Sequence, residues 1–321
     1  MTSNTSHRRQ WLQTMGAAVG AVVASHSTAP VSLAAAPDSS VKIPKSLRYC
    51  LNMSTVRGQK LSVTEQVDLA AKAGYDSIEP WIGDLRTYEQ NGGSIPDLKK
   101  RIADQGLHVD SAIGFAEWIV DDDARRAKGL EQAKADMALV KSIGGTHIAA
   151  PPAGATKQTD LNLFKAADRY GKLLELGVSM EVIPQIEVWG FSTTLSKLGE
   201  TMLVAVESHN PQACILPDVY HLYKGGSDFA GLNLIAGSAV HCFHMNDYPA
   251  DPPRATIGDK DRVYPGDGVA PLTTILKSLF AVGFAGTLSL ELFNPEYWKQ
   301  DPLVVARTGL EKMKASVAKC A

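Results

Sequence analysis

Four side chains in the second half of the sequence are of the types that hold a divalent cation, and each lies at or near the end of a short apolar run. Glu187 closes Ile183-Pro184-Gln185-Ile186-Glu187, and Asp218 closes Cys214-Ile215-Leu216-Pro217-Asp218. His244 lies in His241-Cys242-Phe243-His244-Met245-Asn246-Asp247, and Glu291 closes Leu288-Ser289-Leu290-Glu291. Two glutamates, an aspartate and an imidazole make a hard, mostly oxygen donor set that suits one Mn²⁺, Co²⁺, Mg²⁺ or Zn²⁺ ion. Three carboxylates gathered without a cation would repel one another, and a divalent ion removes that penalty. Each residue alone has a plainer reading. Glu187 or Glu291 can pair with a lysine or cap a helix, Asp218 can be a helix N-cap, and His244 can be a core histidine. His241, earlier in the same run, competes with His244, which lies nearer the C-terminal end.

Such side chains meet only if the elements that carry them lie side by side. Short β-rich runs at 48–53, 77–81, 109–115, 147–150, 184–189, 213–219, 240–246 and 287–293 alternate with segments whose apolar residues recur every three or four positions. Residues 63–74 show that helical period and end in Gly74, a C-terminal cap residue; Gly144 and Gly283 close two other helical stretches. Strands separated by helices pair in parallel through right-handed crossovers. Eight such units predict an α/β fold, a closed (β/α)₈ TIM barrel with its active site on the loops after the strands. A doubly wound open sheet is the alternative, but no Gly-x-Gly-x-x-Gly follows the first strand. In the barrel, the four candidate ligands sit at the ends of four consecutive strands and can converge on one point.

Over residues 49–304 the sequence resembles the xylose isomerase-like barrels of sugar isomerases and epimerases. The resemblance rests on Glu187, Asp218-Val219-Tyr220-His221, His244-Met245-Asn246-Asp247, Pro265-Gly266-Asp267-Gly268 and Glu291. It implies that Glu187, Asp218, His244 and Glu291 bind the metal and that Glu187 and Glu291 double as catalytic acid and base. It also implies that His221 contacts a substrate oxygen and that an arginine after the seventh strand binds substrate. Arg254 and Arg262 are both candidates, and neither has the close spacing from His244 that the family shows. Endonuclease IV-type relatives use three zinc ions and further histidines, and no obvious set of those is present.

A divalent ion held by these groups would polarise a carbonyl and acidify the neighbouring C–H. Two glutamates on opposite sides of the carbon chain would then give epimerisation or aldose–ketose isomerisation through an enediolate. Loss of a β-hydroxyl at the same site would give dehydration of a keto-polyol resembling an inosose. A barrel that binds sugar without turnover is the reading from outside enzymology. Trp81, Phe115, Trp118 and Trp189 follow strands and can stack on the C–H face of a sugar, or cover the barrel mouth, or meet a second copy in a homo-oligomer. Glu79 can bind a hydroxyl or pair with Arg57. No Walker-type phosphate loop is present, and the expected substrate is an unphosphorylated sugar or keto-sugar.

Composition bounds these readings. The chain has 321 residues, 45% hydrophobic and 21% charged, with a net charge of −2, so no basic field draws in nucleic acid. Its four cysteines form no CxxC spacing; Cys50, Cys214 and Cys242 fall inside the expected strands and read as small buried groups, and Cys320, near the end, is uninformative. Residues 1–36 resemble a cleavable twin-arginine export signal. Arg8-Arg9 precedes a Gly- and Ala-rich apolar stretch too short to span a bilayer, and small residues follow it. The expected organisation is therefore signal 1–36, linker 37–47 and barrel 48–321. The mature protein is expected to be periplasmic or extracytoplasmic and not an integral membrane protein.

Overall fold

In the computed structural model, which describes residues 41–321, eight short strands alternate with helices. The first half runs β1 Arg48–Asn52, α1 Val63–Ala73, β2 Ser77–Glu79, α2 Ile82–Gln90, α3 Ile95–Asp104, β3 His108–Val109, α4 Asp123–Ser142 and β4 His147–Ala150. The second half runs α5 Leu163–Met180, β5 Ile183–Glu187, α6 Leu198–Glu207, β6 Ile215–Leu216, α7 Val219–Gly225, β7 Cys242–Met245, α8 Leu272–Ala281, β8 Thr287–Leu290, α9 Pro295–Trp298 and α10 Pro302–Ala318. Among the described residues no helix is long and apolar enough to cross a membrane. The expected signal at 1–36, and residues 37–40 of the linker, lie outside the described residues.

All strand pairing is parallel, in the orders β3-β2-β1-β8-β7 and β4-β5-β6. Two seams join these arcs into a ring. The Ala149 N–H donates to the Ala112 carbonyl at 2.8 Å across β3 and β4. The His244 N–H donates to the Pro217 carbonyl at 3.0 Å across β6 and β7, where bridges pair Ile215 with Val240 and Asp218 with His244. The closed barrel removes the open-sheet alternative.

Several strands stop short of their expected ends. The run 213–219 keeps ladder pairing only at Ile215–Leu216, because Pro217 has no N–H to donate and α7 begins at Val219. The run 109–115 contracts to His108–Val109, with Ile113 reduced to a single bridge to Trp81. The helix punctuation holds better. Ser62 and Glu65 form a reciprocal capping box at the start of α1, and Gly74 closes it at φ 95°, a conformation that other residues adopt only under strain.

The helices bury one face on the barrel through residues such as Val67, Leu85, Val140 and Leu174. Inside the barrel the filling is unusually polar, with Ser77, Ser111, Gln185 and Ser289 wholly buried. The four cysteines are free and buried, as expected of Cys50, Cys214 and Cys242 from their strand positions; Cys320 carried no expectation. At the N-terminal ends of β4 and β7, His147 and His241 stack with ring centroids 4.3 Å apart. His241 therefore belongs to the closed end of the barrel, and the ligand role falls to His244.

Tyr170 on α5 fastens the helix layer to two strands. Its hydroxyl lies 2.9 Å from the Pro184 carbonyl and 3.0 Å from the Cys214 carbonyl, and it accepts the Cys214 N–H at 3.2 Å. Tyr170→Phe leaves the buried Cys214 N–H without its partner, whereas the Cys214 carbonyl keeps the Ile186 N–H at 3.1 Å. The expected cost is about 1–3 kcal/mol in urea unfolding, with the fold retained by circular dichroism.

Candidate metal centre

The geometry of the site is set by one histidine. His244, wholly buried on β7, directs Nε2 to Glu79 Oε2 at 3.1 Å. That contact turns Nδ1 toward Glu291 Oε2 at 3.2 Å and Asp218 Oδ2 at 3.7 Å, where it makes no hydrogen bond. Glu187, His244 and Glu291 each offer a donor atom within 4.8 Å of the others. Asp218 adjoins them and does two things at once. Its Oδ1 accepts the His221 N–H at 2.7 Å as the N-cap of α7, while Oδ2 accepts from Asn246 Nδ2 at 2.7 Å. The cap and the inward-facing oxygen use different atoms, so the two readings of Asp218 are compatible. Burial disfavours the charged form of the His244 imidazole, but without a cation the facing Glu291 and Glu79 charges prevail and hold it well above its usual range. A buried nitrogen without a hydrogen bond, facing carboxylate oxygens, fits a divalent ion that would take the place of that proton.

A second group of donors, Glu79, Cys242 and His244, lies on the other side of the same imidazole. Burial pushes the Cys242 thiol up to about 12, so it carries a proton where a metal needs thiolate. The carboxylate-rich side is the better fit.

Glu79 is not where the sequence suggested. It pairs with neither a solvent-facing hydroxyl site nor Arg57. Wholly buried, it accepts from Asn52 Nδ2 at 2.8 Å, from Ser289 Oγ at 2.6 Å and faces His244. Its position is one residue layer below the cleft, and its work there is to orient the imidazole.

The structure places the two candidate arginines differently. Arg262 is buried, with one guanidinium nitrogen 3.1 Å from Asp218 Oδ2 and 2.8 Å from Glu291 Oε2, and the other 3.0 Å from His221 Nε2. Arg254 is exposed, and its carbonyl accepts from Lys224 at 3.1 Å. The long loop after β7 leaves the barrel and then returns, which explains the wide spacing. Asp247 and Val263 pair antiparallel, and the Asp247 carboxylate accepts the N–H groups of Tyr248, Gly266, Gly268 and Ala270 at 2.8–3.1 Å. A Cβ on Gly268 would sit 2.2 Å from the Tyr248 carbonyl oxygen, so the Pro265-Gly266-Asp267-Gly268 turn needs glycine there. Arg262 arrives at the mouth because that turn is pinned.

Electrostatics separate the two glutamates. Burial, reinforced by the Glu291 charge, pushes the Glu187 carboxyl up to about 8. Burial acts on Glu291 as well, but His244 and Arg262 beside it prevail and hold it below the usual carboxylate range. One carboxyl therefore keeps its proton near neutrality while its neighbour is ionised. Burial and the adjacent Arg262 hold His221 well below the usual imidazole range, so it is neutral.

Above these groups opens a cleft of about 160 Å³ lined by Glu187, His221, Arg262 and Glu291 together with Trp81 and Trp189. Trp118 is absent from it. That ring is wholly buried, donates its indole N–H to the Pro151 carbonyl at 2.9 Å and packs on Tyr170, because it belongs to the layer beneath α4 and α5. Phe191, Phe293 and Asp259 line the cleft without having been expected there. The signal for the first two was available, since each stands two residues beyond an expected site residue, Trp189 or Glu291, on a strand-end path.

The sequence matches the family described as xylose isomerase-like TIM barrel over residues 67–316. The chain belongs to that family. An inosose isomerase of Bacillus licheniformis is 25% identical over 289 residues, covering 85% of this chain and 99% of that enzyme. A 3-dehydroshikimate dehydratase of Pseudomonas aeruginosa is 24% identical over 240 residues, covering 73% of this chain and 36% of that enzyme. An L-ribulose 3-epimerase of Mesorhizobium japonicum is 25% identical over 240 residues, covering 70% of this chain and 73% of that enzyme. Among solved structures, the IolI protein with a bound zinc atom superposes with a TM-score of 0.78 at 21% identity, covering 85% of this chain and 99% of that one. The family barrel and its isomerase, epimerase and dehydratase relatives agree with the fold and the chemistry read from the sequence.

The raised Glu187 carboxyl has a thermodynamic consequence. Between its unfolded value near 4.5 and about 8, the folded state holds a proton that the unfolded chain has released. Stability therefore falls as pH rises through that window, by at most about 1.4 kcal/mol per pH unit. Chelator-treated protein is expected to lose melting temperature between pH 6.5 and 8, and Glu187→Gln is expected to flatten that slope.

Proposed function

We propose that the protein is a divalent-metal-dependent isomerase or epimerase of an unphosphorylated sugar or keto-sugar. The observation that carries this reading is geometric: two buried carboxyls, Glu187 and Glu291, face one cleft and offer donor atoms within 4.8 Å of His244. Glu187, Asp218, His244 and Glu291 would hold the cation, in keeping with the inosose isomerase and epimerase relatives and with the zinc in the structural neighbour. When bound, the cation supplies Lewis acidity to a substrate carbonyl and lowers the barrier to losing the adjacent C–H proton.

The chain's own groups do the rest. One of the two glutamates, Glu187 or Glu291, takes a carbon-bound proton, and the other returns one to the carbon chain. Return to the opposite face of the same carbon inverts it; return to the neighbouring carbon moves the carbonyl. His221, neutral and held by the Gly190 N–H at 3.3 Å, and Arg262 orient substrate oxygens at the cleft floor. No lysine lines the cleft, and its one arginine already faces two carboxylates, which favours a substrate without phosphate. The dehydratase relative supports a second reading, in which the same proton removal is followed by loss of a β-hydroxyl.

Three results test the proposal. Purified protein is expected to carry about one divalent ion, chelation to abolish turnover, and Glu291→Gln to lower kcat by about 100-fold or more. Turnover of ketoses, inososes and 3-keto sugars in heavy water is expected to place deuterium on carbon with no unsaturated product. Unsaturated product instead would establish the dehydratase. Metal-free protein with full activity would end the metal reading.

We further propose that residues 1–36 direct export by the twin-arginine route, because Arg8-Arg9 precedes a weakly apolar stretch and small residues. Fractionation of the native host is expected to find protein shortened by about 36 residues outside the cytoplasm. Arg8→Lys with Arg9→Lys is expected to retain the full-length chain inside.

A further inference from the structure

We infer that the cleft is built for a sugar or cyclitol carrying an aryl substituent. The polyol end would lie on the carboxylate floor and the aryl ring against an aromatic collar at the mouth. The inference rests on the isomerase or epimerase reading and names the substrate class of that same site.

The collar is a chain of rings in contact. Phe293 lies 6.1 Å from Trp81, Trp81 5.3 Å from Phe115, and Phe115 6.0 Å from Trp189. Trp189 is 5.1 Å from Phe191, and Phe191 is 5.7 Å from His221. Arg262 closes the circuit, 3.0 Å from His221 Nε2 and 5.1 Å over the Phe293 ring. These separations fall in the range where aromatic rings attract one another.

Two properties of the collar argue for an aryl occupant. First, the residues lining the cleft include no Ser, Thr, Asn, Gln, Tyr or Lys; its polar groups are the carboxylates, His221, Arg262 and the two indole N–H groups, of which Trp81's is already given to Asn52 Oδ1 at 3.1 Å and Trp189's to Glu187. A hydroxyl pushed against the collar would surrender water without gaining a partner, which disfavours a hydroxylated chain laid on the rings; a second sugar ring could offer only its C–H face, a smaller and less flat apolar surface than an aryl ring. Second, Phe115 and Phe191 remain 46% and 47% exposed, whereas Phe243 and Phe284 are wholly buried in the core. Two phenyl rings kept half in water at a concave mouth gain from an apolar face that covers them. A flat aromatic ring satisfies both conditions, offering stacking faces and no hydrogen-bonding demand.

The test compares three probes on the metal-loaded protein: fructose, its 6-O-phenyl ether and its 6-O-glucosyl derivative. Binding is measured by calorimetry and turnover by deuterium incorporation. The phenyl ether is expected to bind at least about tenfold more tightly than fructose, and the glucosyl derivative no more than about twofold more tightly. F115A and F191A are each expected to shrink the phenyl-to-fructose affinity ratio severalfold, with circular dichroism unchanged. Equal affinity for fructose and its phenyl ether, or preference for the glucosyl derivative, would overturn the inference. So would an unchanged ratio in both variants accompanied by a change in oligomeric state, which would assign the collar to a second copy of the chain. Affinity ratios judge the collar and deuterium incorporation judges the isomerase reading, so each can fail without the other.

Discussion

The burial of like charges around one imidazole governs the upper end of this barrel. Glu79, Glu187, Asp218 and Glu291 all stand within the reach of His244 and are removed from water. In a medium of low polarisability that arrangement is costly unless cations or protons compensate it. Compensation comes from three sources. The Arg262 guanidinium bridges Asp218 and Glu291, His244 sits between Glu79 and Glu291, and Glu187 retains a proton. Each of these is also a group that a bound divalent cation would displace or neutralise. The same electrostatic demand that makes the metal-free arrangement expensive therefore makes it receptive.

The constraint propagates outward through backbone. Arg262 can reach the carboxylates only because the loop after β7 doubles back, and the turn at Gly266–Gly268 can exist only because Asp247 collects four N–H groups. Asp247 is thus remote from chemistry yet fixes which arginine enters the site. On the opposite side of His244, Glu79 plays the corresponding part. Its contacts with Ser289 and Asn52 lock the carboxylate, which in turn selects the ring nitrogen that faces the cleft. Ser289, one of the polar residues that fill the barrel, is explained at this level by the need to hold Glu79 ionised beneath the site.

What could be read from the sequence was what repeats with the fold. Strand ends in a parallel barrel are marked by an acid or imidazole interrupting an apolar run, so Glu187, Asp218, His244 and Glu291 were visible, and so were all eight strands. Helix ends were visible where a capping residue marks them, as at Ser62 and Gly74. Properties that depend on depth were not. Glu79 and Trp118 occupy strand-end positions just as Glu187 and Trp81 do, but each lies a layer lower, and no one-dimensional pattern records depth. Arg254 and Arg262 were indistinguishable because the loop between β7 and α8 returns through a tertiary hydrogen-bond network around Asp247. Phe191 and Phe293 carried a two-residue period from a neighbouring site residue, and that period was the unread signal.

The division of the cleft into a charged floor and an aromatic mouth separates two tasks that many active sites combine. With Glu187 and Glu291 in the proposed acid and base roles, proton transfer at the floor would depend on what surrounds each carboxyl inside the barrel. The rings at the mouth carry no charge themselves; the charged groups beside them are Arg57, 4.2 Å over Trp81, and Asp259, paired with Arg262, so replacing a ring there removes no charge. Substrate selection at the mouth can therefore change by replacing one aromatic ring without disturbing the acid–base pair. The converse does not hold. Arg262 spans both regions, joined to Asp218 and Glu291 below and resting on Tyr220 and Phe293 beside it. A movement of that guanidinium toward a substrate oxygen would loosen its hold on Glu291 and raise the proton affinity of the ionised glutamate. Occupation of the floor and the protonation of Glu291 are for that reason coupled through a single side chain, and the coupling needs no motion of the barrel.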